Sequence, residues 1–414
     1  MRKAIKIKDL GEVITGNTPP RSNPELYGRH TPFIKATDIE ESSKFTYFPE
    51  EFYSEIGFQK YKKSLIRKGA SCVVTIGSVG KKMTMAHCDC FINQAMNAVV
   101  PNNNYDDEYV YYLLKNNIHK LKMLNSGTAS GRENISKSAF SNMEIEAILD
   151  KDKQIIIGKI LSAYDKLIEN NQKQIKLLEE AAQRLYKEWF VDLRFPGYEN
   201  TPIIDGVPKG WKRKNVQDSL EMHIGGGWGK EVPVGSNIIV GKVIRGTDIN
   251  DIKSGNFKDV PLRYLTKNDI SKRKLKKYDI IFELSNGNIE NIGRCMLIDD
   301  FILKKCGENT ICASFCKLFR PLDKLHSVIL YCEIQDMQNG GRMLPFKKQG
   351  SNGINNFAFE EFLTHEILLP NDEEFIKTID NIISLTAVLQ NQMSELIEAR
   401  ERLLPKLMNG ELEV

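Results

Sequence analysis

The residues with the clearest potential for chemistry are a few closely spaced cysteines and histidines. His87, Cys88 and Cys90 form one group, and Cys312 and Cys316 form another. Thiolate and imidazole side chains bind zinc, but structural zinc sites usually combine two regularly spaced ligand pairs. Neither group has that spacing, so we expect no metal site. The 8 cysteines are expected to be reduced thiols, because no secretory signal precedes them.

Three motifs for chemistry on nucleic acids or nucleotides are absent. A metal-dependent nuclease needs clustered carboxylates with a lysine, and the sequence has no Pro-Asp dipeptide and no Glu-x-Lys. An amino-methyltransferase usually has an Asn/Asp-Pro-Pro-Tyr/Phe loop, whereas Asn17-Thr18-Pro19-Pro20 has the wrong order. A P-loop needs Gly-x4-Gly-Lys-Ser/Thr, and the Gly-Lys pairs at 80–81 and 229–230 lack both the leading glycine and the final hydroxyl residue. Any associated catalysis is therefore expected in partner proteins.

The elements that would position binding residues occur twice. The chain has 414 residues, which favours two domains or more. The hexapeptide at 34–39 recurs 210 residues later at 244–249, and the pattern at 65–70 recurs at the same offset at 275–280. The glycine turn at 76–80 has a looser counterpart within 286–294, and 131–135 resembles 350–354. These matches in register predict an internal duplication.

Each half ends in a long segment whose apolar residues alternate in steps of three and four, which is typical of a heptad seam. We expect the two helices to pair, because the stripe is narrow and long; the alternative is two amphipathic helices that each lie on a globular core. Asn171 and Thr386 would fix the register, and Asp152 and Asn371-Asp372 are predicted N-caps. The predicted pairing residues are Ile157, Leu161, Tyr164, Ile168, Asn171, Ile175, Leu178 and Leu185, with Ile379, Ile382, Leu389, Met393, Leu396 and Leu403.

The predicted fold is α/β (α+β), because strand-like runs at 71–76, 98–100 and 279–282 alternate with helical stretches such as 107–121. A helix of about 35 to 40 residues spans on the order of 55 Å, so the second helix must return antiparallel to pair with the first. We expect a pseudo-twofold molecule with one domain at each end of a two-helix rod. The predicted boundaries are 1–149 and 211–370 for the globular domains, 150–192 and 371–414 for the helices, and 193–210 for a linker.

Composition and charge are compatible with binding to DNA. The formal net charge is +4, with basic runs at 272–277 and 62–68 that could meet phosphates or form a solvated surface. No apolar stretch approaches the roughly 20 residues of a membrane helix, so we expect a soluble, cytoplasmic protein without membrane contact. Proteins with twofold symmetry suit duplex DNA, because dimeric readers place their half-sites at a fixed spacing.

Two segments give the sequence a specific family resemblance. The run from Leu185 to Gly197, LYKEWFVDLRFPG, followed by GVPKGW at 206–211, closely resembles the central region of Type I restriction-modification DNA specificity subunits. TGNTP at 15–19, IGSVG at 76–80 and RLLPKLMNGEL at 402–412 are similar to that family too. One departure lies before the first helix, where the family often has a proline-rich Leu-Pro-Pro-Leu-Glu-Gln-like stretch. Here residues 148–154 contain no proline, although the glutamine is kept at Gln154.

The resemblance implies a non-catalytic subunit with two target-recognition domains, which read a bipartite, asymmetric DNA sequence. It implies two partner modification subunits that bind S-adenosylmethionine and methylate adenine; this chain would hold no cofactor. It leaves open whether a translocating nuclease subunit joins them. From the residues alone, a stand-alone two-headed DNA-binding regulator is the main alternative. A fusion of nuclease and methyltransferase is the second, which the missing motifs disfavour.

Base edges are read by polar and basic side chains presented on loops, so we predict DNA contacts from glycine-rich polar loops. These loops could instead be turns that require glycine. The candidates in the first half are Thr15, Asn17, Thr18, Arg21, Ser78, Lys81, Lys82, Thr128, Arg132 and Asn134. Those in the second half are Trp228, Lys230, Asn286, Asn288, Arg294, Lys347, Lys348, Ser351 and Asn352.

Overall fold

A computed structural model describes residues 2–41, 43–124, 133–350, 353–371 and 373–414. The chain divides into two compact units. Unit 1 comprises Met1–Glu169 with Leu396–Val414, and unit 2 comprises Asn170–Glu395. Both long helices therefore contribute residues to each unit.

In unit 1, a four-stranded antiparallel sheet has the order β2-β8-β5-β6, and a three-stranded sheet has the order β4-β3-β7 with β3 and β7 parallel. Strands β1 and β9 form a separate antiparallel pair. The elements are β1 (Arg2–Lys6), α1 (Ile7–Leu10), β2 (Gly11–Thr15), β3 (Tyr27–Ile34), β4 (Glu51–Tyr53), α2 (Glu55–Tyr61), β5 (Ser71–Val74), β6 (Met83–Met85), β7 (Phe91–Ile92), β8 (Met96–Pro101), α3 (Asp107–Asn117), α4 (Lys137–Asn142), β9 (Glu144–Ile148) and the first long helix, α5 (Lys151–Tyr186).

Unit 2 contains the following elements of the second half: β10 (Ile203–Ile204), β11 (Val207–Pro208), β12 (Lys212–Asn215), β13 (Leu220–Gly225), β14 (Ile239–Ile244), α6 (Ile249–Lys253), β15 (Leu262–Leu265), α7 (Lys267–Arg273), β16 (Ile280–Glu283), β17 (Ser285–Asn286), β18 (Cys295–Leu297), α8 (Asp300–Cys306), β19 (Ile311–Cys312), β20 (Cys316–Pro321), α9 (Lys324–Asn339), β21 (Lys347–Lys348), β22 (Asn355–Phe357), α10 (Phe359–Leu363) and β23 (Glu366–Leu369). The second long helix, α11 (Glu374–Asn409), follows and is shared with unit 1.

The two units repeat one topology. Sheet β13-β20-β16-β18 of unit 2 corresponds to β2-β8-β5-β6, and β15-β14-β19, with β14 parallel to β19, corresponds to β4-β3-β7. The antiparallel pair β12-β23 corresponds to β1-β9. The predicted duplication and the mixed α/β class are therefore confirmed.

The start of α5 explains the glutamine that the family resemblance singled out. Gln154 is fully buried; its Nε2 donates to the carbonyl oxygen of Ile148 (2.8 Å), and its Oε1 accepts from the backbone N–H of Asp106 (2.9 Å). Asp152 is not the N-cap, so that prediction is wrong. The helix starts one residue earlier, and the Asp150 carboxylate accepts from the backbone N–H of Asp152 (3.1 Å).

The two long helices pair antiparallel, as predicted. In unit 2, the Asn171 side chain donates to Gln392 (3.3 Å), while Tyr186, further along α5, contacts Phe375, which lies earlier in α11. Among the predicted pairing residues, Ile157, Leu161, Ile168, Asn171, Ile175, Ile379, Leu389 and Met393 are buried, and Tyr164, Leu178, Leu185, Ile382, Leu396 and Leu403 are half-buried.

The seam serves two purposes along its length. Ile175 and Leu178 pack against Leu389 and Met393 in a cluster made only of the two helices. Ile157 belongs to the main core of unit 1 instead. Where the helices lie next to the sheets, the alternative prediction therefore also holds: there the helix packs on a globular core. The distance between the two domains stays a prediction.

The aromatic residues of the family signature form a cluster in unit 2. Phe190 stacks on Tyr186 with ring centroids 4.9 Å apart and contacts Phe375 of α11 at 4.8 Å. Trp211 lies 4.9 Å from Phe190 and 4.8 Å from Phe195. The signature is thus structural: it joins the end of α5, the linker and the start of α11 through aromatic packing.

Beside this cluster, Glu333 of α9 is a buried carboxylate with several donors. It accepts from His365 (2.8 Å), from Arg342 (3.0 Å) and from the hydroxyl of Tyr186. Burial favours the neutral acid, but these hydrogen bonds outweigh it and lower the pKa of Glu333 to about 2. Glu333 therefore stabilises the folded state as a carboxylate.

The pKa of Glu333 is lower in the folded state than in the unfolded state. Its contribution to the stability of the fold is therefore complete at pH values above the unfolded-state pKa, and it is lost as the pH falls through the folded-state pKa. We expect Glu333→Gln to lower the free energy of unfolding by about 3 kcal/mol at pH 7 and by progressively less between pH 4.5 and pH 2. Urea unfolding of both proteins across this range measures the difference. Glu308→Gln, at a side chain 93% exposed, is the control with little expected effect. A Glu333→Gln effect that does not change with pH would contradict the argument.

Candidate nucleic-acid interface

Four loops of unit 1 are joined by backbone hydrogen bonds into one cluster, which we call loop cluster 1. They are the loop after β2 (16–22), the loop after β5 (75–82), the turn between β7 and β8 (93–95) and the segment 133–135. Gly16 N–H donates to Met96 (3.1 Å), Thr75 N–H donates to Ala95 (2.8 Å), and Ile135 N–H donates to Thr75 (2.9 Å). The structure therefore brings together loops that the sequence singled out separately.

Polar side chains connect the base of loop cluster 1. The Thr15 hydroxyl donates to Asn97 Oδ1 (2.6 Å), and Asn97 Nδ2 donates to the Thr75 hydroxyl (2.8 Å). The Thr18 hydroxyl donates to Gln94. These contacts fix the loop after β2 against the turn between β7 and β8, so both present their side chains together.

The remaining candidates of unit 1 differ in their exposure and in their contacts within the protein. Asn17 is tied to the framework, because it donates to Ser64 (3.1 Å) and accepts from Tyr53. Arg21 is exposed but pairs with Glu51 (2.8 Å). Of the other candidates, Ser78 and Lys81 are exposed, and Lys82 and Asn134 are half-buried. Thr128 and Arg132 lie outside the described residues.

Unit 2 repeats this arrangement as loop cluster 2, formed by residues 226–230, 284–294, 313–315 and the described part of 347–357 (347–350 and 353–357). Gly226 N–H donates to Cys316 (2.9 Å), as Gly16 does to Met96, and Gly227 N–H donates to Cys312 (2.9 Å). Leu284 N–H donates to the carbonyl oxygen of Phe315 (2.9 Å), the counterpart of the bond from Thr75 to Ala95. A small sheet of order β17-β22-β21 joins the second and fourth segments.

Amide and hydroxyl side chains line part of loop cluster 2. Ser285 donates to Asn356 (2.7 Å), and Asn355 donates to the carbonyl oxygen of Gly287 (3.0 Å). Asn286 donates to buried Glu283 (2.7 Å), and Asn288 is exposed. Asparagine and serine are side chains that read base edges in the major groove.

Arg294 has its guanidinium occupied within the protein. It donates to Glu283 (2.8 Å) and to the carbonyl oxygen of Gly246 (3.1 Å), and the Glu283 side chain is only 3% exposed. These contacts hold the segment 284–294 against the sheet. We therefore expect Arg294 to position this loop for the exposed side chains around it.

The other candidates of unit 2 are basic or aromatic. Trp228 is 39% exposed, and the guanidinium of Arg263 lies 4.7 Å from its ring centroid. Lys230 is exposed, and Lys347 donates to the carbonyl oxygen of Glu290 (3.3 Å). Lys348 pairs with Glu361 (3.5 Å), and Ser351 and Asn352 lie outside the described residues.

The sequence analysis missed the turns between β7 and β8 and between β19 and β20, which carry Gln94 and Phe315, and it missed Asn97 at the start of β8. These turns contain no glycine and therefore did not stand out. Superposing the two halves by their strand patterns would have found them, because each turn connects the same pair of strands.

Arg273, from the basic run at 272–277, donates to the carbonyl oxygen of Gly225 (2.9 Å) and so supports the loop after β13.

Both loop clusters can hydrogen-bond a polar partner through exposed amides, hydroxyls and cations. Within the described ranges, no three His, Cys, Asp or Glu side chains are grouped in a way that could hold a metal ion. No described helix has both the length and the apolar character needed to cross a membrane. The exposed side chains of the clusters are of the kinds that recognise a partner by hydrogen bonds and charge.

The fold and the paired loop clusters define a duplicated α/β recognition protein. Residues 3–180 match the family described as Type I restriction modification DNA specificity domain. The MjaIX specificity subunit of a Type I restriction enzyme from Methanocaldococcus jannaschii is 25% identical, over 99% of this chain and 93% of its own length. The HindI specificity subunit of Haemophilus influenzae is 32% identical over 42% of this chain and 38% of its own.

Among solved structures, the Type I restriction-modification S subunit from M. genitalium has a TM-score of 0.56 and 15% identity, with 99% of this chain and 96% of that chain covered. This likeness supports the fold. The family model matches residues 3–180, and a Type I specificity subunit is similar over nearly the whole chain. The resemblance to Type I restriction-modification DNA specificity subunits that the sequence predicted is therefore confirmed.

Proposed function

We propose that this chain is the non-catalytic DNA-reading subunit of a Type I restriction-modification complex, and that each unit reads one part of a bipartite site. The observation that carries the proposal is the repetition of one loop scaffold with different side chains. The bonds from Gly16 to Met96 and from Gly226 to Cys316 are equivalent. Duplicated scaffolds with different surfaces suit two half-sites of different sequence.

The difference between the clusters supports an asymmetric site. Thr15 lies opposite Asn97 in the β2–β8 ladder, whereas Gly225 lies opposite Lys317 at the equivalent position of β13 and β20. A neutral hydroxyl and amide in one unit are thus replaced by a cation in the other. Since donor and acceptor patterns select bases, the two units should prefer different bases.

The proposed partners are duplex DNA and two modification subunits, which would supply S-adenosylmethionine and the chemistry of adenine methylation in the cytoplasm. The relatives that cover this chain are specificity subunits of restriction enzymes, which disfavours a stand-alone regulator. Purification of the tagged chain from its host should recover a methyltransferase in a two-to-one complex. Recovery of the chain alone, bound to DNA, would favour the regulator instead.

Exchanging residues 200–370 for the corresponding segment of another family member should change one half of the methylated sequence and leave the other intact. The exchange keeps α5 and α11, so the antiparallel helix pair and unit 1 are preserved. Single-molecule methylation sequencing of cells with the original and the exchanged chain measures both halves. The reciprocal exchange of residues 1–149 is the matched control and should change only the other half. Alteration of both halves by either exchange would contradict modular reading.

A further inference from the structure

Phe315 is an aromatic residue whose side chain the fold does not use. It is 60% exposed and lies in the turn between β19 and β20. An exposed ring contributes little of the burial energy that a buried phenylalanine gives its own fold. The stability of the fold therefore does not explain why a phenylalanine occupies this position of loop cluster 2.

The backbone around Phe315 is firmly held. Its carbonyl oxygen accepts from the N–H groups of Leu284 (2.9 Å) and Ser285 (3.3 Å), so the turn is fixed to the second segment of the cluster. Ala313 N–H donates to Ile244 (2.8 Å), and Cys316 N–H donates back to Ala313 (2.8 Å). A ring on so well-connected a turn is preorganised and loses little conformational freedom on contact.

The surroundings of Phe315 are polar and cationic. Ser285 is bonded to its carbonyl group through the backbone, Asn286 follows it, and the loop after β13 carries exposed Lys230. Arg273 lies beside that loop through its bond to Gly225. An exposed ring among hydrogen-bonding groups and cations fits duplex DNA, where phosphates surround stacked bases.

The equivalent position of unit 1 is Ala95, whose carbonyl oxygen accepts from Thr75 N–H (2.8 Å) as that of Phe315 accepts from Leu284 N–H. Alanine has no ring to offer. The two clusters therefore share the same turn but differ in whether an aromatic side chain projects from it. This difference cannot arise from the needs of the common scaffold.

We propose that the ring of Phe315 inserts between stacked base pairs of the half-site read by unit 2 and so makes recognition there depend on how easily that step unstacks. The proposal rests on the DNA-reading function proposed above. Apolar side chains that wedge between base steps kink the duplex, and flexible pyrimidine–purine steps yield most readily. Unit 1, with Ala95, has no such wedge in this turn.

The test uses the full chain in complex with its methyltransferase subunits and DNA containing the methylated motif. Phe315→Ala should weaken binding by about 10-fold or more and relax base preference only in the half-site of unit 2. Phe315→Trp keeps an aromatic ring and should retain both the affinity for DNA and the base preference in that half-site. Leu322→Ala is the matched control, because Leu322 is 48% exposed at the other end of the same strand, β20; it should change neither.

Insertion is measured directly with 2-aminopurine placed along that half-site, whose fluorescence rises on unstacking. A rise with the wild-type complex that is absent with Phe315→Ala supports the wedge. Unchanged binding, or no fluorescence rise with a wild-type complex that binds its motif, overturns it. Loss of the methyltransferase subunits from the Phe315→Ala complex would also overturn it, in favour of a protein contact. If the wild-type complex shows no sequence-specific binding, the proposed function fails instead.

Discussion

Substitution of Gly226 by alanine should abolish recognition of the half-site read by unit 2 while leaving the other half-site intact. A Cβ at this position would lie 2.1 Å from the carbonyl oxygen of Ala313 and 2.5 Å from that of Cys312. Both are backbone atoms of the turn before Phe315, so neither can rotate away. The loop after β13 would have to separate from this turn, and overpacking of this kind costs about 1 to 3 kcal/mol.

The neighbouring glycine provides a close control. A Cβ on Gly225 would have no atom within 4 Å, so Gly225→Ala should leave both stability and recognition unchanged. Gly16→Ala is the counterpart in unit 1, where the Cβ would lie 2.2 Å from the carbonyl oxygen of Asn93; it should remove the other half-site. Methylation sequencing and binding to single half-site variants measure these effects. Equal behaviour of Gly225→Ala and Gly226→Ala would refute the role assigned to the close approach.

Substitution of Arg400 by alanine should lower the free energy of unfolding by about 3 to 5 kcal/mol. Within unit 1, Arg400 of α11 pairs with Asp165 of α5, and their side chains are only 6% and 7% exposed. Asp165 also accepts from the hydroxyl of Tyr112. Removal of the arginine would leave a buried carboxylate without its cation, which is far more costly than loss of a surface pair.

Arg402, two residues further along α11, is the matched control. It pairs with Glu398 at the surface, with side chains 76% and 56% exposed, so Arg402→Ala should cost less than about 1 kcal/mol. The double replacement Asp165→Leu with Arg400→Met removes both charges together and should cost much less than Arg400→Ala alone. Chemical denaturation of the four proteins measures the comparison. Similar losses for Arg400→Ala and Arg402→Ala would show that the buried pair carries no special weight.

Patterns that depend on periodicity were predictable from the sequence. The core positions of the two long helices, such as Ile157 and Leu403, follow a spacing of three and four that is typical of amphipathic and paired helices. The repeat at 34–39 and 244–249 predicts a duplicated topology, because similar segments at a fixed offset indicate two copies of one fold. The sequence could not show that Ile157 packs into a sheet-bearing core while Ile175 packs in a cluster of the two helices, because both are isoleucines at core positions of the heptad pattern.

The loop clusters were predictable only in part. Glycine marks the loops at 16 and 226, but the reason for glycine, close approach to a neighbouring carbonyl group, depends on contacts with a turn some 80 residues away along the chain. The role of Arg294 depends likewise on Glu283, whose burial the sequence does not reveal. Tertiary contacts thus decide which polar residues support a loop and which remain free to meet a ligand.

The division of the core of unit 1 between distant segments has a consequence for biosynthesis. Leu404, Leu407 and Met408 are buried in the same cluster as Ile5 and Val110. The stretch 170–395, which forms unit 2, leaves the ribosome before those three residues do. The unit that contains the first-translated residues consequently cannot complete its core until these three residues of α11 have been made.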